Sequence, residues 1–72
     1  MINIGKRIQE ELEQQERSIS WLARKLDCNR TSVYRILKKK SIDTAQLSRI
    51  SQILNHDFFQ ELSKDMMHPV NE

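Results

Sequence analysis

Three residue types are nearly missing from this sequence: its 72 residues include one glycine, one proline and one cysteine. β-Sandwiches and barrels need turn residues at short, regular intervals, so this scarcity argues against both. The single Cys28 closes no internal disulfide, whereas stapled secreted domains carry about four or more cysteines, and a reducing, intracellular compartment is the expectation. No apolar run exceeds three residues (Trp21 to Ala23), against the roughly 18 that mark a membrane span. The N-terminus, MINIGKRIQEELEQQER, turns acidic after ten residues and lacks a signal-peptide pattern. A cytoplasmic protein is expected.

What is present is helix-forming: the chain is rich in Leu, Gln, Glu, Lys and Arg, which predicts an all-α domain. A chain of this length buries only about 60% of the surface its unfolded form exposes, leaving little room for both a core and a deep substrate cavity. The formal net charge of +2 conceals a segregation. Residues 1–16 carry a net −2 and residues 41–72 a net −3. Between them, Arg17, Arg24, Lys25, Arg30, Arg35, Lys38, Lys39 and Lys40 face only Asp27, a net +7. A solvated helix face explains one lysine run, but eight cations in 24 residues form the kind of concentrated surface that meets a polyanion.

Apolar spacing and capping residues predict five short helices. Asn3 caps a helix over about residues 4–15, with Ile4, Ile8 and Leu12 inward and its Glu-rich face in water. Ser18 caps a second, over about 19–26, burying Ile19, Leu22, Ala23 and Leu26. Asn29 caps a third, over about 30–38, with Val33, Ile36 and Leu37 inward. Asp43 with Gln46, and Asp57 with Gln60, have the spacing of capping boxes. They open a fourth helix, burying Leu47, Ile50, Ile53 and Leu54, and a short fifth with Phe58, Phe59 and Leu62. The domain is expected to span residues 1–63, followed by a flexible tail, KDMMHPVNE, over 64–72.

Two short helices separated by about three residues, the second capped and basic, meet the geometric requirement for placing one helix in a DNA major groove. Ala23 is small where the two helices must approach, Cys28 is a small apolar residue at the turn, and Val33 and Ile36 follow ten and thirteen positions after Ala23. The stretch SISWLARKLDCNRTSVYRILKKKSID resembles the helix-turn-helix domains of the lambda-repressor-like or Cro family, also termed XRE-like. The resemblance covers about residues 4–63, with Leu22, Ala23, Leu26, Val33 and Ile36 at the family's buried positions. It implies a compact five-helix lambda-repressor-like domain with the helix-turn-helix at about residues 19–38. The family commonly has glycine in the turn where this chain has Asp27, a position that needs φ > 0 and that Asp tolerates better than most residues.

Advancing 100° per residue from Val33 sets Thr31, Arg35 and Lys38 opposite the core, with Arg30 and Tyr34 on one flank and Ser32 on the other. Arg30 and Arg35 are suited to bidentate contact with guanine, and Thr31 to a thymine methyl or base edge. The resemblance also puts base contacts at the start and middle of this helix: Arg30, Thr31, Ser32, Tyr34 and Arg35. For Tyr34, packing against the second helix stays open beside groove contact. Phosphate contacts are expected from donors flanking the groove: Arg17, Ser18 and Ser20 before it, and Lys38, Lys39, Lys40 and Ser41 after it. Trp21 either covers the edge of the core or offers its indole N–H to a phosphate.

Other functions find less support. Glu10, Glu11, Glu13 and Glu16 read as a solvated face, His56 beside Asp57 makes no metal site with the distant His68, and no glycine-rich phosphate loop exists, so neither enzyme nor cofactor or metal is expected. The expected partner is double-stranded DNA. The alternative is a protein-interaction module, such as the antitoxin of a toxin–antitoxin pair. A homodimer through the fourth and fifth helices is expected, with Phe58, Phe59, Leu62, Met66 and Met67 as its candidates and one Phe closing the core instead.

Overall fold

The computed structural model describes residues 3–39 and 41–66, and the side chains of all of these except Asp65 and Met66. Five helices follow in order: α1 (Ile4–Gln14), α2 (Ile19–Lys25), α3 (Arg30–Lys38), α4 (Thr44–Leu54) and α5 (Phe58–Met66). There is no strand among the described residues, so the all-α reading holds. The helix starts fall where the capping residues put them. Asn3, Ser18, Asn29 and Asp43 each accept, through the side chain, the backbone N–H three residues on. Asp57 does the same for Gln60 at 3.1 Å, and each such cap contributes about 1 kcal/mol. Helix α5 runs through Met66, past the boundary at residue 63 that the loss of apolar periodicity suggested.

Three helices end in the same way, without glycine. After α1, α2 and α4 the chain turns through a left-handed residue, respectively Glu16 (φ 57°), Asp27 (φ 59°) and Asn55 (φ 52°). The paired bonds of a Schellman turn close each end: Glu16 N–H to Glu13 and Arg17 N–H to Leu12; Asp27 N–H to Arg24 and Cys28 N–H to Ala23; Asn55 N–H to Gln52 and His56 N–H to Ser51. The expected positive φ at Asp27 is therefore present, and Glu16 and Asn55 are two further such sites that the sequence did not announce.

Helices of 7 to 11 residues are marginal in isolation, and packing of their apolar faces holds them. The core takes Ile4, Ile8 and Leu12 from α1, Leu22 and Ala23 from α2 and Leu26 at its C-cap, Val33 and Leu37 from α3, Leu47, Ile50 and Leu54 from α4, and Phe58 from α5. Ile19, Ile36 and Ile53, expected inside, are only partly buried and pack against its edge. Helix α3 packs against both α1 and α2. Helix α1 comes close to α3 at Gly5, in its first turn: a Cβ there would lie 1.9 Å from the Leu37 carbonyl oxygen of α3. Only a residue without a side chain lets α1 pass so near the end of α3.

Candidate functional site

Helix α3 has two unlike faces. Val33 and Leu37 are buried and clamp it to the core, while Arg30, Thr31, Tyr34, Arg35 and Lys38 are exposed. Tyr34 keeps 48% of its surface in solvent. Ser32 is half-buried, and its backbone N–H is occupied by the Asn29 cap at 2.8 Å. Four of the five expected base-reading residues thus share one open surface, with Ser32 at its margin.

The flanking residues divide similarly. Arg17, Ser18, Lys38, Lys39 and Ser41 are exposed and Ser20 is half-buried, while Lys40 lies outside the described residues. The Ser18 hydroxyl accepts the Trp21 N–H at 3.0 Å, which is its capping role. Trp21 is half-buried and packs against the core, as the first of its two readings had it. Over its ring stand two cations, the Arg17 guanidinium carbon 4.7 Å and the Lys25 ammonium 5.8 Å from the centroid. This arrangement was not anticipated, although the spacing of Arg17, Trp21 and Lys25, four residues apart each time, was legible.

Among the described residues, charge pairing gathers around Arg7, Glu11, His56 and Glu61. Arg7 of α1 donates two hydrogen bonds to Glu61 of α5, at 2.6 and 2.8 Å, and lies 3.3 Å from Glu10 and 3.4 Å from Glu11. His56 hydrogen-bonds Glu61 and lies 3.7 Å from Glu11. Gln15 donates to Glu11 at 2.9 Å and to the Leu54 carbonyl at 2.8 Å, tying α1 to the end of α4. The Arg7 hydrogen bond above all, aided by His56 and opposed by burial, holds the Glu61 carboxyl down at about 2. The Arg7 guanidinium is in turn raised above its ordinary value, chiefly by Glu61. Glu11 corrects the expectation of a wholly solvated acidic face: it is buried and organises this junction.

In contrast, no cation between residues 17 and 39 has a carboxylate within 4.0 Å among the described residues. The described cations of the basic segment therefore carry no ion pair. No group of three or more His, Cys, Asp or Glu among the described residues is placed to hold a metal ion, and no helix is long and apolar enough to cross a membrane.

The expected dimer face is altered by one correction. Phe58 is fully buried and closes the core, its ring edge-on to His56 at 4.6 Å, so it is not available to a second copy. Phe59 is 37% exposed and Leu62 partly buried. The Met66 side chain and Met67 lie outside the described residues. No protein-family model, curated protein or solved structure matches this chain.

Proposed function

We propose that this protein binds double-stranded DNA sequence-specifically, with α2 and α3 acting as a lambda-repressor-like helix-turn-helix and α3 entering the major groove. One observation carries the reading: a helix clamped by Val33 and Leu37 exposes Arg30, Thr31, Tyr34 and Arg35 on one face, within a segment whose cations, among the described residues, have no carboxylate within 4.0 Å. Buried apolar anchors fix the orientation of a helix, and unpaired cations are what counterion release at phosphates requires. Arg30 and Arg35 read guanine edges. Arg17, Ser18, Ser20 and the residues Lys38 to Ser41 position the backbone.

The protein works as a transcriptional regulator, by occluding or recruiting at a promoter. One reading helix spans few base pairs, so a second copy completes the site across α4 and α5, where Phe59 and Leu62 supply apolar surface. Two substitutions test the division of labour. Arg35→Ala relaxes preference at one base position, at a cost of about 1–3 kcal/mol, whereas Lys39→Ala weakens all sequences evenly and lowers the salt slope by about one. Identical effects from both would refute it.

A further inference from the structure

Trp21 closes the edge of the core, and Arg17 and Lys25 stand over its ring. Cations are attracted to the face of an indole within about 6 Å of its centroid, and both meet that distance here. The ring is anchored on one side: its body packs against the core, and the Trp21 backbone N–H is held by Ser18. Arg17 is fixed from behind as well, since its backbone N–H bonds the Leu12 carbonyl at 2.8 Å in the turn that Glu16 makes. Two like charges are thereby gathered around one ring, and among the described residues neither has a carboxylate within 4.0 Å. Mutual repulsion makes that arrangement unfavourable alone and favourable beside an anion.

We propose that Trp21 is a positioning residue that holds Arg17 and Lys25 as a paired clamp for the DNA sugar-phosphate backbone, so that α2 forms a second contact rail beside the reading helix. Lys25 and Trp21 thereby join the interface. The inference rests on the DNA-binding reading, and its occupant is the phosphate backbone rather than any base. Because the ring restrains both side chains before binding, less rotamer freedom is lost when phosphates arrive.

The test is salt-dependent binding of the full chain to a fixed duplex, with thermal stability measured on every variant. Lys25→Ala and Arg17→Ala each lower the slope of log affinity against log salt by about 0.9. Trp21→Leu keeps both charges and lowers affinity about two- to fivefold, the range of exposed cation–π contacts. In the Arg17→Ala/Lys25→Ala background the same change has no further effect on affinity, which a merely structural role would not produce. If Trp21→Leu does not fold, Lys25→Ala still decides, because Lys25 is exposed. As Trp21 is the only tryptophan, its emission changes on saturation with duplex. An unchanged slope for Lys25→Ala, or equal losses from Trp21→Leu in both backgrounds, overturns the clamp while wild-type binding stands. Wild-type affinity that ignores salt overturns the DNA reading itself.

Discussion

Gly5→Ala separates two opposed physical effects. In an exposed helix interior, alanine in place of glycine stabilises by about 1 kcal/mol. Here the added Cβ would sit 1.9 Å from the Leu37 carbonyl oxygen and 2.8 Å from its carbon, both backbone atoms with no rotamer to yield. Real Cβ contacts essentially never fall under 3.0 Å, so α1 and α3 must part by about 1.1 Å. Those helices share Ile4, Ile8, Val33 and Leu37 in the core, and their separation loosens contacts beyond position 5. Overpacking costs about 1–3 kcal/mol where side chains can adjust. With backbone as the obstacle the upper end applies, leaving a net loss of about 2 kcal/mol after the propensity gain. A chain of this length has roughly 4–11 kcal/mol in all, and a domain this size loses about 4–8 °C in Tm per kcal/mol. Thermal unfolding followed by far-UV circular dichroism should show a Tm lower by roughly 8–16 °C. An unchanged or higher Tm would mean that the approach of α1 to α3 is not as close as described.

The left-handed helix ends give an ordered series: Glu16→Gly and Asp27→Gly should each raise the Tm, by up to about 1 kcal/mol of stability, with Asn55→Gly smallest because Asn tolerates that conformation best. Denaturant midpoints check it, and a loss at Glu16 would contradict the Schellman geometry. Glu61 sets an acid limb. Its folded carboxyl titrates near 2 against an ordinary 4.5, so its contribution is complete above about 4.5 and is lost as pH falls from there through 2. Glu61→Gln should lower stability near neutrality and flatten its decline over that window, and an equally steep decline would refute the Arg7–Glu61 link as its source.

The parts of this fold legible in the sequence are those set by local chemistry. Asn3, Ser18, Asn29 and Asp43 cap because a short side-chain oxygen reaches the N–H three residues on, and α3 begins at Arg30 as its cap dictates. The exposed face of α3 follows from Val33 by rotation alone. Contacts between distant residues were not legible: Arg7 and Glu61 are 54 positions apart, and the acidic face of α1 gives no sign that Glu11 turns inward to Gln15 and His56. Gly5 was equally silent, since its need for space is set by Leu37 across the core. Of the two adjacent phenylalanines, helical phase alone did not decide which closes the core, and the structure assigns Phe58. Trp21 could be placed at the core edge from its helix face, but the two cations over its ring depend on side-chain directions that spacing only permits.

The most direct test of the central claim is selection of bound duplexes from a randomised DNA pool by the full chain at roughly physiological salt, followed by sequencing of what is retained. The account predicts an inverted repeat with half-sites about one helical turn apart, and loss of the preferred base at one symmetric position with Arg35→Ala. Recovery of a single short site would remove the second copy but keep the reading helix. Retention of nothing above a neutral control protein would contradict DNA binding and make a protein partner the leading assignment for the exposed basic face.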